Sequence, residues 1–261
     1  MRFSANLGFL FTDRPLAEAI RAAAAAGFDA VECHFPYEED PAEVRAALTE
    51  TGLEMLGLNT WPGSREAGDF GLCALPDRVA EARAAIDQAI DYADAVGARA
   101  VHVMAGRTDG SAAAEATFRS NLAYACDKAG HLRPDLTILI EPLNLRDVPG
   151  YHLTDVDHGA ELIGAVAAAN LRLMFDTYHL QIMGGDLTAR FARHRDIIGH
   201  VQIAAVPDRG EPGAGEVDLR WFCQWLHDQG WSRPVGAEYR PRGGATETSL
   251  AWLAAFKKIG T

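Results

Sequence analysis

The chain has 261 residues, 48% of them hydrophobic and 23% charged, enough for one large α/β domain or two small ones and for a core without disulfides. Its formal net charge of −12 and pI near 5.1 exclude the basic stripe of a nucleic-acid binder and oppose docking on an anionic membrane surface. No apolar run approaches a membrane span, Phe9-Leu10-Phe11 is too short for a signal-peptide core, and four dispersed cysteines without a C-x-x-C pair read as reduced structural thiols of a cytoplasmic protein.

Residues 2–7 read as a strand, and Thr12-Asp13-Arg14-Pro15 as a helix start. The alanine-rich run 16–26 is helical by propensity and stops at Gly27. A second strand over 28–33, a helix over 41–49 stopped at Gly52, and a third strand over 53–58 repeat the cycle. The glycine-rich loop 59–76 carries Trp61 and Phe70, and loops of this length in compact domains are often functional. A helix over 77–96 places Val79, Ala82, Ile86, Ile90 and Ala93 on one face and stops at Gly97. Strand four follows over 100–104, then a helix over 112–129 that Gly130 should end. Strand five, 137–140, leads into the polar loop 144–151 and a helix over 156–168. Strand six over 171–176, a short helix over 187–194 and strand seven over 198–203 come next. The loop 206–216, a helix over 219–228 stopped near Gly230, strand eight over 235–239 and a helix over 247–257 complete the chain.

Strands alternating with helices imply parallel pairing. Eight such units in about 250 residues is the arithmetic of a single-domain (β/α)8 TIM barrel. A doubly wound open sheet would be expected to show a phosphate-cradling glycine-rich first turn, and Asn6-Leu7-Gly8-Phe9 is not one.

Four strand-like runs end on oxygen donors. Run 137–140 ends on Glu141, and Pro142 then denies the ladder another N–H. Runs 171–175, 198–201 and 234–237 end on Asp176, Gln202 and Glu238. In a TIM barrel such positions share the catalytic rim. Three carboxylates brought together repel unless a positive charge sits among them. A divalent cation held by Glu141, Asp176, Gln202 and Glu238 would answer this, and an all-oxygen set favours Mg²⁺ or Mn²⁺ over Zn²⁺. Independent rim residues making ordinary hydrogen bonds are the plainer alternative. His179, in the loop just past strand six, could hydrogen-bond a substrate oxygen. Glu32 ends strand two at the same rim, and Asp147 could reach the same cavity. His102, inside strand four, reads either as a satisfied core histidine or as a site residue.

The segments Val101-His102-Val103-Met104-Ala105-Gly106, Ile140-Glu141-Pro142-Leu143-Asn144, Phe175-Asp176-Thr177-Tyr178-His179, His200-Val201-Gln202-Ile203-Ala204 and Glu238-Tyr239 with Pro241-Arg242-Gly243 resemble the hydroxypyruvate isomerase family of xylose-isomerase-like TIM barrels. The similarity runs nearly end to end, including Gly27-Phe28-Asp29-Ala30-Val31-Glu32 and Phe35-Pro36-Tyr37. It implies that Glu141 and Glu238 transfer the protons and that Glu141, Asp176, Gln202 and Glu238 hold a divalent metal. It implies interconversion of hydroxypyruvate and tartronate semialdehyde, with 2-oxo-tetronate isomerase as the sister activity. Ketose 3-epimerases, more distant, generally carry a histidine where this chain has Gln202. The expected partner is a small sugar acid, with a homo-oligomer allowed. Its carboxylate needs a counter-charge, for which Arg209 and then Arg240 are the candidates. A metal-dependent endonuclease on the same fold would be expected to show several histidine ligands and a basic face. A barrel that binds a sugar acid without turnover would not need both Glu141 and Glu238.

Overall fold

In the computed structural model, which describes residues 1–260, strands and helices alternate along the whole chain. The strands are β1 (Phe3–Asn6), β2 (Ala30–Glu32), β3 (Glu54–Met55), β4 (Leu58–Asn59), β5 (Ala100–His102), β6 (Thr137–Ile140), β7 (Leu171–Asp176), β8 (Ile198–Ile203) and β9 (Val235–Ala237). The α-helices are α1 (Leu16–Ala25), α2 (Pro41–Thr51), α3 (Val79–Val96), α4 (Ala112–Leu132), α5 (Val156–Val166), α6 (Thr177–Met183), α7 (Leu187–His194), α8 (Leu219–Asp228) and α9 (Ala251–Lys257). All strand pairs are parallel, in the order β3-β2-β1-β9-β8-β7-β6-β5-β4. The two terminal strands of that order are halves of one barrel strand. Leu56 N donates to Val31 O at 2.7 Å on one side, and Arg99 N donates to Met55 O at 2.9 Å on the other. The ring is thereby closed as a TIM barrel, and the third strand expected over 53–58 is bent into β3 and β4.

Side chains alternate along each strand. Phe3, Ala5, Val31, Ile138, Ile140, Leu171, Leu173, Phe175, Val201, Ile203 and Val235 belong to one large apolar cluster with the helices. The opposite set faces the barrel interior, where Ala100, Leu139 and Met174 form a small separate apolar cluster. Above it the interior is polar: Asn6, Glu32, His102, Glu141, Asp176, Gln202 and Glu238 are all buried.

One register shift decides which residues share that layer. Leu173 pairs with Ile198, but Met174 pairs with His200, so Gly199 is an extra residue on β8. The shift sets Asp176 level with Gln202. A Cβ at Gly199 would meet Arg172 Cβ at 2.6 Å and Leu139 Cδ2 at 2.8 Å, so the bulge has room for glycine alone.

Gly27, Gly52, Gly97 and Gly230 take left-handed angles after helices, as expected. Gly130 does not end its helix. α4 runs on to Leu132, because Arg133 N donates to Ala129 O at 2.8 Å and the Arg133 guanidinium donates to the Ala93 and Ala98 carbonyls. A second correction concerns His179, which lies in the first turn of α6 and not in a loop. Seven residues are too few to show a helical period. Asp176 caps this helix, its Oδ1 accepting from Tyr178 N at 2.8 Å. The last predicted helix is divided into a 3-10 turn (Glu247–Ser249) and α9.

No helix among the described residues is long and apolar enough to cross a membrane. All four cysteines are free and buried. Burial pushes the Cys73 and Cys126 thiols up to about 12, and raises Cys33 and Cys223 further. Native protein at pH 8 should therefore resist a disulfide reagent such as dithionitrobenzoate for as long as it stays folded. Denatured protein should release the full equivalents. Prompt labelling of native protein would mean that one of these thiols is open to solvent.

Candidate active site

The interior polar layer opens into a cavity of about 820 Å³ at the C-terminal ends of the strands. Of the residues singled out in the sequence, Glu141, Glu238, His102, His179, Asp147, Arg209 and Arg240 line it. Gln202 and Glu32 lie beneath, beside a void of about 20 Å³ that Glu141 and Glu238 also border. Asp176 lines neither space, is fully buried, and meets the site through Arg209 and His179.

Glu141 and Glu238 are both buried, yet their charge states are driven apart. Burial raises the Glu141 pKa well above the usual carboxylate range, and the charges of Glu238 and Asp176 raise it more. Burial acts the same way on Glu238, but Arg209 and His34 outweigh it and hold the carboxyl below that range. Arg209 Nη2 lies 2.8 Å from Glu238 Oε2, and His34 Nε2 lies 2.9 Å from Oε1. Burial also pushes Asp176 up to about 7, against the pull of Arg209 at 3.4 Å.

The 206–216 loop delivers Arg209. Its φ of +56° is unusual for a residue with a side chain, and the loop is held around it. Arg242 pairs with Asp208 at 2.6 Å and with Glu211 at 2.7 Å, and Arg240 N donates to Arg209 O at 2.7 Å. The Arg209 guanidinium rests against the Phe9 and Tyr178 rings at 4.9 and 5.0 Å, and Arg240 against Phe9 at 5.0 Å.

His179 is fixed in one tautomer. Asn144 donates to its Nδ1 from both backbone N, at 3.0 Å, and Nδ2, at 2.8 Å. The Asn144 amide is itself oriented by Asp147, whose N donates to Oδ1 and whose Oδ2 accepts from Nδ2. Asp147 also accepts from the Tyr178 hydroxyl at 2.7 Å. Burial keeps the imidazole neutral, so its one proton is on Nε2, 3.6 Å from Asp176 Oδ2 and 4.0 Å from Glu141 Oε1. Glu141, Asp176 and His179 converge closely enough to suggest a metal triad. That tautomer makes His179 an N–H donor and not a ligand. His102 is held neutral, burial lowering it to about 4, and Nδ1 stands 3.6 Å from Glu141 Oε2.

Two of the four expected oxygen donors carry an atom free to bind a divalent cation. Glu141 Oε1 and Gln202 Oε1 are buried with no hydrogen-bond partner among the described residues. Both residues border the small void, whose size matches a single ion or water. A second cluster, Glu115, His152 and His158, also has the spacing of metal ligands. There both imidazoles bond Glu115 Oε2 at 3.0 Å and none of these atoms is left unpaired, so ordinary hydrogen bonds account for it.

Several lining residues escaped the sequence reading. His34 touches Glu238, and Arg65, Arg107 and Arg146 join Arg209 and Arg240 around the cavity. His34 was detectable in principle, since it follows Glu32 by two residues and so shares its face. The three arginines sit in long loops, where no periodicity marks direction. In a protein of net charge −12, these five arginines match in number the five carboxylates of the lining, Asp69, Glu141, Asp147, Asp208 and Glu238.

A family model described as Xylose isomerase-like TIM barrel matches residues 20–256. The chain is 42% identical to 2-oxo-tetronate isomerase of Cupriavidus necator, over 98% of both chains. It is 36% identical to hydroxypyruvate isomerase of Escherichia coli, over 98% of this chain and 100% of the other. A crystal structure from Brucella melitensis, named AP endonuclease, family 2, superposes with a TM-score of 0.92 at 40% identity, covering 97% of this chain and 98% of that one.

Proposed function

The chain belongs to the xylose isomerase-like TIM barrel family and is an isomerase, and from that premise we propose that it interconverts hydroxypyruvate and tartronate semialdehyde by proton transfer between Glu141 and Glu238. The observation that carries this reading is the pair itself: two buried glutamates on one cavity, with pKa values pushed in opposite directions. Hydroxypyruvate has a ketone at C2 and an alcohol at C3. One glutamate takes a proton from C3, which leaves an enediolate. The other returns a proton to C2, and the C3 oxygen becomes the aldehyde as its hydroxyl proton passes to the C2 oxygen. His179 Nε2–H is a donor aimed into this space and suits the oxygen on which charge develops. Arg209, and Arg240 behind it, answer the substrate carboxylate. Glu141, Asp176, Gln202 and Glu238 would hold Mg²⁺ or Mn²⁺, which when bound supplies Lewis-acid stabilisation of the developing negative charge.

The size of the cavity and the match to 2-oxo-tetronate isomerase favour a second substrate, the four-carbon acid 2-oxo-tetronate, handled by the same residues. The net charge of −12 opposes a nucleic-acid substrate. The test is an NMR assay in D₂O with hydroxypyruvate, 2-oxo-tetronate and fructose, run with added Mg²⁺ and again after chelation. Hydroxypyruvate should turn over fastest, with deuterium entering at carbon, and chelation should slow it. Preference for the four-carbon acid would change the substrate and keep the residue roles. Preference for fructose would remove Arg209 as a carboxylate partner. Absence of any exchange in metal-loaded protein would overturn the mechanism.

A further inference from the structure

Glu32 is buried inside the barrel and does not border the main cavity. A buried carboxylate usually has a lysine or arginine beside it. Here the donors are Ser4 Oγ at 3.0 Å and His200 Nε2 at 2.7 Å on Oε2, with Asn6 Nδ2 at 3.1 Å and Gln202 Nε2 at 2.7 Å on Oε1.

The bond from Gln202 has a consequence at its other end. The two ends of a glutamine amide are nearly equal in shape, and only one of them donates. An ionised carboxylate accepts only. Turning the amide over would set two oxygens against each other at hydrogen-bond distance. Glu32 therefore holds the nitrogen, and the carbonyl Oε1 is directed elsewhere. That oxygen is buried and unpartnered, and Gln202 shares the small void with Glu141 and Glu238. The neighbouring strand leaves room for the contact. A Cβ at Gly236 would meet Glu32 Oε1 at 2.7 Å and Gln202 Cγ at 2.8 Å.

We propose that Glu32 is a positioning residue: by accepting the Gln202 amide N–H it fixes the Gln202 carbonyl oxygen as a ligand for the divalent cation. The inference rests on the metal reading given under the proposed function. Glu32 touches neither substrate nor metal in this role, and His200 and Asn6 keep its oxygens in place.

The test is Mn²⁺ affinity, read from the electron paramagnetic resonance of free Mn²⁺, in the wild type, Glu32→Gln, Gln202→Ala and the double variant. Losing a partner that orients a ligand typically weakens metal binding by about 10–100-fold, and that is expected for Glu32→Gln. In the Gln202→Ala background the same change should have little further effect, because no amide remains to be oriented. Equal affinity in wild type and Glu32→Gln overturns the proposal. An undiminished loss in the Gln202→Ala background also overturns it, since Glu32 would then act by its charge. Wild-type protein that binds no Mn²⁺ is a different failure: the metal reading falls, and this inference with it. If circular dichroism shows Glu32→Gln to be unfolded, Glu32→Asp serves in its place. It keeps the charge but withdraws the oxygens from Gln202, and a smaller loss in the same direction is expected.

Discussion

Glu141→Gln and Glu238→Gln should each lower kcat for the isomerisation by about 10²–10⁴-fold, with opposite effects on stability. Glutamine keeps the shape of the side chain and removes its capacity to take or return a proton. Glu141 is destabilised by burial and by the neighbouring charges of Glu238 and Asp176. Neutralising it relieves that repulsion, so Glu141→Gln should melt at the wild-type temperature or above it. Glu238 is the carboxylate that Arg209 and His34 contact. Glu238→Gln leaves a buried guanidinium short of a partner and should melt lower. Steady-state kinetics and thermal melts on the two variants check both halves. Near-normal turnover in both would end the two-carboxylate mechanism. Melting shifts of the same sign would mean that the two charge environments are alike.

Arg209→Met should destabilise the metal-free protein by about 3–5 kcal/mol, the usual result of stripping one partner from a buried ion pair. Among the described residues Arg209 is the one arginine in salt-bridge contact with both Glu238 and Asp176, and burial leaves those charges little screened. Without it the folded-state pKa of Asp176, already pushed by burial to about 7, must rise further, and that of Glu238 with it. A carboxyl shifted upward favours the fold while it is protonated and loses that contribution as pH rises through the folded-state pKa. The defect should therefore be small near pH 5 and large near pH 8. Mg²⁺ or Mn²⁺ should restore part of the loss, because a cation again sits among the carboxylates. Urea midpoints at the two pH values, with and without metal, read all of this. Wild-type stability at pH 8 in chelated Arg209→Met would show that the pair contributes nothing to the fold.

The barrel was legible because its signals are periodic and repeated: glycine stops after helices, apolar runs, and oxygen donors at strand exits. Glu141, Asp176, Gln202 and Glu238 were singled out by position alone, and all four lie buried in the interior polar layer. What stayed hidden depends on direction. Glu32 reads from the sequence as a rim residue, but it borders only the small inner void, with its oxygens engaged by Ser4, Asn6, His200 and Gln202. His34 reaches across to Glu238, 204 positions away, a pairing that no local pattern announces. Arg65 and Arg107 come from loops whose course depends on long-range contacts, such as Arg107 donating to Gly68 O at 2.6 Å. α6 was missed because seven residues hold too few turns, although its cap, Asp176, was already in view for another reason.

The extra residue at Gly199 acts on β8 like a frameshift in a message read two letters at a time. Upstream of it, Leu173 stands beside Ile198; downstream, Asp176 stands beside Gln202. Pairing β8 straight through Gly199, with no residue passed over, would bring Val201 level with Asp176, and the phase of every later side chain on that strand would invert. Val201 and Ile203 would be offered to the site, and His200 and Gln202 to the apolar layer under the helices. The backbone could still trace the same barrel, with every strand in its place, yet spell no chemistry. The chemistry of the site thus depends on one residue held out of step, and not on the order of the strands.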